Sequence, residues 1–201
     1  MSRTVLRFLH AADLQLHRLP AGLVELPDAL RKVLVDAPIE AARNVFDAAL
    51  ANAVDFVVLS GNVINAEEAS PLALRFLVDQ FKRLEARNIR VYWAGGPRDL
   101  PARWPAGLAL PENVHVFTAD KIESHSYAQD GEPVACITGL SNSRERIRPG
   151  DFRPGKDNVF TVGVACGEAA SEELHARGLN YWALGGRQRG ETLSEAPSVI
   201  R

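Results

Sequence analysis

A small set of side chains in this 201-residue sequence combines ligating or nucleophilic chemistry with a place in glycine-marked turns. Asp13 and Gln15 stand in "AADLQLH", Asn62 and Asn65 in "GNVIN", and Pro97, Arg98 and Asp99 in "GGPRD". Cys166 and Glu168 follow in "CGE", then Gly186 and Gln188 in "GGRQR". Together with His10 and His17, the residues Asp13, Asp99, Cys166 and Glu168 are of the types that hold zinc. Zinc needs four converging ligands, and the spacing of these candidates does not supply them; His10 reads as a core or strand-end histidine and His17 as a solvated loop residue. A nucleophilic Cys166 would need a partner base, and no histidine adjoins it, so it reads as a buried, inert thiol. The glycines at 95, 96, 185 and 186 lack the GxxxxGK[ST] context of a phosphate cradle and read as turn glycines.

A second kind of chemistry lies in "RERIRPGDFRPGK", residues 144 to 156. Arg144, Arg146, Arg148, Arg153 and Lys156 face only Glu145 and Asp151 there, a net charge of +3 that suits phosphate or an acidic partner. A solvated loop is the commoner use of such a run. Trp93, Trp104 and Trp182 read as packing residues, with Trp104 in "PARWP" the one placed to anchor a contact.

Those turns need elements to hold them. "VLRFLHA" (5 to 11), "VDFVVLSG" (54 to 61) and "IRVYWAGG" (89 to 96) read as buried strands. Between them, "PIEAARNVFDAALANA" (38 to 53) has Ile39, Ala42, Phe46, Ala49 and Leu50 on one helical face, with Pro38 near its start. "SPLALRFLVDQFKRLEARN" (70 to 88) is a helix capped by Ser70 with Pro71 at its first position. After residue 120 the order changes to a hairpin around Asp130-Gly131, a strand at 158 to 166, a short Ser-capped helix at 171 to 178, and the strand "NYWALGG". Helix-linked strands followed by hairpin-linked ones predict a two-sheet α/β sandwich flanked by helices rather than one doubly wound sheet. In such folds the loops leaving the carboxyl ends of strands carry function, and every turn named above is one of these.

Composition limits the partners. Lys and Arg number 23 against 25 Asp and Glu, so a nucleic-acid contact has to be local rather than global. Two cysteines are too few for a disulfide framework, and no long apolar segment opens or crosses the chain. A single cytoplasmic domain, with no membrane contact, is expected.

The five loops, in order, resemble those of the calcineurin-like metallophosphoesterases, and most of all the nuclease subunit of the bacterial SbcCD double-strand-break complex. That family's loops read Asp-x-His, Gly-Asp-x-x-Asp, Gly-Asn-His-Asp or -Glu, a single His, and Gly-His-x-His. Strand phrases such as "DFVVLSGNVIN" and "LNYWALGG" echo it closely, and the likeness spans nearly the whole chain. The resemblance implies a metallophosphoesterase-type sandwich and a pair of manganese or similar divalent ions that clamp a phosphate and activate water. Carried over position by position, however, the ligands are gone. Asp13 is retained, but Gln15 stands for the first histidine, Asn62 for the bridging aspartate and Asn65 for the aspartate closing that motif. Pro97 stands for the ligand asparagine, Arg98 for the catalytic histidine, Cys166 for the fourth-loop histidine, and Gly186 and Gln188 for the last pair. Asp99 keeps the closing acid of the third loop.

Of seven metal-contacting positions, only Asp13 survives, and no bound cofactor is expected. The leading expectation is therefore a binding or scaffolding protein that has lost nuclease chemistry, beside an SbcC-like ATPase or another protein, or as a homodimer. The alternatives are an altered, weak metal-dependent phosphodiesterase or DNA exonuclease using Asp13, Asp99 and Cys166, and a nucleic-acid-binding module built on 144 to 156. The sequence also leads one to expect an end before the family's last strands and any capping domain, with a free sheet edge near the terminus.

Overall fold

The computed structural model describes residues 5–16, 27–65, 67–105, 107–142, 144, 146–156, 159–187, 190–195 and 198–200. Two sheets stack face to face. The first, in the order β1-β2-β3-β4, comprises β1 (Phe8–Ala11), β2 (Phe56–Ser60), β3 (Arg90–Ala94) and β4 (Val114–Phe117), all parallel. The second has the order β5-β6-β7-β8-β10-β9, from β5 (Glu123–Gln129), β6 (Glu132–Leu140), β7 (Phe160–Cys166), β8 (Tyr181–Gly185), β9 (Thr192–Glu195) and β10 (Ser198–Ile200). The expected two-sheet α/β sandwich is the observed architecture.

Strands β2 and β3 are near-continuous apolar runs because both of their faces are covered. One face meets helices α1 (Asp28–Ala51) and α2 (Pro71–Glu85), through Ala42, Phe46, Leu77, Phe81 and Trp93. The other meets the second sheet, through Phe56, Val58, Tyr92 and Phe117 against Ile137, Val162, Val164 and Ala183. The outer face of the second sheet is closed by Phe152, Leu174, Leu179 and Trp182, beneath the short helix α3 (Ser171–His175).

Local chemistry sets the element ends. Ser70 accepts a hydrogen bond from the Ala73 amide at 3.2 Å and Pro71 opens α2, as expected. Asp130 and Gly131, both left-handed at φ 52° and 84°, form the tight β5–β6 turn, a conformation whose twist suits the right-handed twist of the strands it joins.

Several elements depart from the expectations. Pro38 lies inside α1 instead of at its start. The helix begins at Asp28, and the added turns leave Leu30, Val33 and Val35 exposed, so no buried face marks them in sequence. Ser171 is the first residue of α3 rather than its cap, which is Ala170 without a side-chain bond. The second sheet is less hairpin-linked than expected, because β6, β7, β8 and β10 run parallel to one another and only β5–β6 and β9–β10 are antiparallel. β10 pairs with β8, so two further strands follow β8 and the sheet edge on that side is β9. Trp104 is packed rather than presented, its ring 4.8 Å from that of Trp93 and its indole N–H on the Asp99 carbonyl at 3.0 Å. No helix among the described residues is long and apolar enough to cross a membrane.

Candidate functional site

The loops after β1, β2, β3, β7 and β8 converge at one end of the sandwich. Parallel strands place all their carboxyl ends on the same side, which is why residues 173 positions apart in sequence meet there. The first two loops continue the pairing of their strands, with Asp13 N–H on Gly61 O and Gln15 N–H on Asn62 O, each at 3.0 Å. Sharp turns follow. Asp13, Gln15 and Asn62 hold φ of 54°, 46° and 51°, and Gly61, Gly167 and Gly186 are also left-handed. For non-glycine residues this region is uncommon, and such clusters mark places where a fold mounts a site.

The polar groups at this end are spent on one another. Asn62 donates its side-chain N–H to Asp13 Oδ1 at 2.9 Å, and the Gly186 amide donates to Asp13 Oδ2 at 2.8 Å. Burial raises the Asp13 carboxyl above its usual range, opposed by the Asn62 bond and by the Gly186 and Arg187 amides. Asp99 is fully buried and ties the ends of β2 and β3 together, accepting from Gly96 N–H at 2.6 Å, Val63 N–H at 2.8 Å, Asn62 N–H at 2.9 Å and the Trp93 indole at 3.1 Å. Burial pushes Asp99 up to about 6 even against these four donors.

Cys166 is buried against Gly61, Gly96 and Asn62. Burial, reinforced by the nearby Asp99 and Asp13 charges, pushes its thiol far above the ordinary value, so it stays protonated and is a poor nucleophile. His10 is bonded between the strands, Nε2 to Ser60 Oγ at 2.7 Å and Nδ1 to the Tyr181 phenol Oη at 3.1 Å, and burial lowers it to about 4. It is a neutral, hydrogen-bonded histidine between the sheets. His17 and Gln188 lie outside the described residues.

The two-ion site implied by the resemblance does not fit the residues present. Pro97 and Gly186 offer no side-chain donor atom, both Asp13 oxygens are engaged, and Asn62 presents its N–H to Asp13 where a bridging oxygen is required. Asn62 Oδ1 is buried without a hydrogen-bond partner among the described residues, but a single neutral oxygen does not hold a pair of dications.

Beside this floor opens a cleft of about 610 Å³ lined by Asn62, Pro97, Cys166, Gly186, Arg144 and Arg146, among others. The basic run is therefore not one patch. Arg144 and Arg146 line the cleft, Arg146 and Arg148 line a neighbouring groove with Arg177, and Arg153 bonds back to the Phe152 carbonyl at 2.9 Å. Asn142 braces the backbone of this segment beside the end of β7, its side-chain amide donating to the main-chain carbonyls of Arg144 at 2.8 Å, Arg146 at 3.3 Å and Cys166 at 3.0 Å. Glu168, also in the cleft wall, is ion-paired with Arg187. Little in the sequence marks Asn142: a buried-strand end followed by Asn and a basic run is a weak signal on its own.

The glycines have a different basis from the one expected. A Cβ on Gly185 would lie 1.7 Å from the Ser60 carbonyl oxygen, one on Gly95 2.5 Å from the Asp99 carbonyl oxygen, and one on Gly96 2.6 Å from Cys166 Sγ. Close approach of neighbouring backbone and side chains requires them, and only Gly186, at φ 103°, is a turn glycine in the conformational sense.

No family model matches the chain. It is 32% identical, over 98% of its own length, to a protein of Bacillus subtilis (strain 168) named uncharacterized metallophosphoesterase YhaO. It is 33% identical, over 52% of its length, to the DNA double-strand break repair protein Mre11 of Thermoplasma acidophilum. The chain spans about half the length of the first relative (52%) and 28% of the second. These likenesses, with the stacked sheets and the five converging loops, support the calcineurin-like metallophosphoesterase superfamily, with similarity to Mre11.

Proposed function

We propose that this chain is a metallophosphoesterase-fold protein that has given up two-metal hydrolysis and works by binding, as a scaffold in DNA repair in the cytoplasm. The observation that carries the reading is the Asn62 side-chain N–H donated to Asp13, which turns the bridging position of a metal pair into an internal hydrogen bond. Arg98 adds a permanent positive charge to the neighbouring loop after β3. The partner we propose is an ATPase of the SbcC type or a second copy of the chain. The test is manganese binding together with hydrolysis of bis(p-nitrophenyl) phosphate. Neither an ion pair nor turnover that depends on Asp13 is expected, so wild type and Asp13→Ala should behave alike in both measurements. Two bound ions per chain lost in Asp13→Ala, or turnover abolished by it, would replace this reading with the weak phosphodiesterase.

A specific observation favours nucleic acid as what the cleft binds: Arg144 and Arg146 line it, on a backbone segment held by Asn142. Two guanidinium groups at the former metal floor suit a phosphate backbone without any cation. Reversing both charges, Arg144→Glu with Arg146→Glu, is expected to weaken binding of a short DNA duplex about tenfold or more and to flatten its logarithmic salt dependence by about 2. Unchanged affinity and slope in a fluorescence-anisotropy titration would remove nucleic acid from the proposal.

A further inference from the structure

His115 on β4, with Glu123 and His125 on β5, forms a cluster remote in sequence from the five loops. Its position follows from strand geometry. Glu123 and His125 are two residues apart and so share one face of β5, the face on which Tyr127 packs against Phe56 in the layer between the sheets. His115 lies opposite Tyr92 in the β3–β4 register and takes the same inter-sheet side of β4 as Phe117, two residues on. β4 and β5 are edge strands of different sheets, so the three side chains meet where the two sheet edges face each other.

One ligand atom from each of the three lies within 4.8 Å of the others. The imidazole rings are 3.5 Å apart between centroids, and His115 Nε2 is 3.8 Å from Glu123 Oε2, too far for a hydrogen bond. The Nε2 atoms of both histidines are buried and have no hydrogen-bond partner among the described residues. Buried polar atoms are ordinarily satisfied, so a pair of orphaned imidazole nitrogens beside a carboxylate calls for a third party.

We propose that His115, Glu123 and His125 bind one zinc ion that clips the edge of the first sheet to the edge of the second. Two imidazoles and a carboxylate are a donor set that zinc accepts, with its fourth position left to water or an outside ligand. Four-coordinate zinc at about 2.1 Å from each donor needs donors about 3.4 Å apart, a contraction that side-chain rotation provides. The site shares no residue with the cleft and is independent of the function proposed for it.

The test uses the whole chain, stripped with a chelator and titrated with zinc chloride alone. One zinc per chain and a raised thermal midpoint are expected. Cobalt substituted for zinc should give the visible absorption of a four-coordinate site. His115→Ala and His125→Ala should each lower zinc affinity about 100-fold or more, whereas Asp13→Asn, in the other cleft, should leave it unchanged. Should either histidine variant fail to fold, Glu123→Gln serves in its place, because it keeps an oxygen for the Thr118 amide that Glu123 Oε2 accepts at 3.1 Å. Its zinc affinity should fall about tenfold at unchanged metal-free stability. No zinc binding by the parent chain, binding that survives loss of these ligands, or binding lost in Asp13→Asn would each overturn the site.

Discussion

Asp99→Ala is expected to destabilise the fold by about 4 kcal/mol, enough to be plain in urea or thermal unfolding. The carboxylate accepts three backbone N–H groups and one indole N–H, drawn from the ends of β2 and β3 and the loops that follow them. Alanine leaves those four donors in a dry site, each at a cost of about 1–3 kcal/mol, less what water recovers by entering. The pH dependence provides a second readout. Burial raises Asp99 to about 6, whereas an unfolded aspartate titrates near 3.9. Between about pH 4 and pH 6 the folded chain therefore retains a proton that the unfolded chain has released, and stability falls as pH rises through that window, by about 3 kcal/mol at most. The difference in stability between parent and Asp99→Ala isolates this slope from other carboxylates. A loss below about 1 kcal/mol at every pH would show that Asp99 does not hold the loops together.

The second large effect is expected at Gly185. Its neighbour across the sandwich is Ser60, whose carbonyl oxygen would lie 1.7 Å from an added Cβ, with Ala12 Cβ at 3.1 Å on the other side. The obstruction is backbone at the end of β2, in a strand with no exposed residue, so no side-chain rotation relieves it. Gly185→Ala must separate the ends of β2 and β8 and strain the 2.9 Å bond from Gly167 N–H to Gly185 O. Overpacking typically costs about 1–3 kcal/mol where side chains yield; here about 5 kcal/mol or more is expected, and the variant should be recovered unfolded or aggregated. Gly131→Ala is a useful contrast, because its added Cβ meets nothing within 4 Å and only its φ of 84° resists. Its loss should be about 1 kcal/mol. A Gly185→Ala protein with a melting temperature near that of the parent would refute the close approach.

What could be read from the sequence was what short-range physics decides. The unbroken apolar run of β2, the Ser70-Pro71 start of α2 and the Asp130-Gly131 turn each carry their own signal, and each is found where expected. β4 was missed because "VHVF" is four residues long and takes its strand identity from pairing with β3. β9 and β10 are similarly short, and β10 depends on β8 for its partner. Pro38 misled because proline is expected at a helix start, whereas here it is carried within α1 and the residues before it show no buried stripe. In the site, substitution of the ligand positions was legible residue by residue, but the hydrogen bonds that now occupy Asp13 and Asp99 were not. Nor was the spread of the basic run over two grooves, because the backbone of Arg144 and Arg146 is held beside the cleft by Asn142, through bonds to their carbonyls. The His115, Glu123 and His125 cluster joins two sheets, and its only local trace is the alternation of Glu and His along β5.

Strand order also bears on how the chain comes to be folded. The first sheet uses only residues 8 to 117 and the second only residues 123 to 200, so each sheet is drawn from one contiguous stretch of chain. During synthesis, every hydrogen-bonded neighbour in the first sheet has been made before the second begins, and domains assembled from the amino terminus can exploit that order. What must wait is the face-to-face layer, in which Phe56, Tyr92 and Phe117 remain open to water until Ile137, Val162 and Ala183 arrive. A nascent chain halted near residue 120 would thus expose one broad aromatic face, a surface suited to chaperones before it is suited to its own second half.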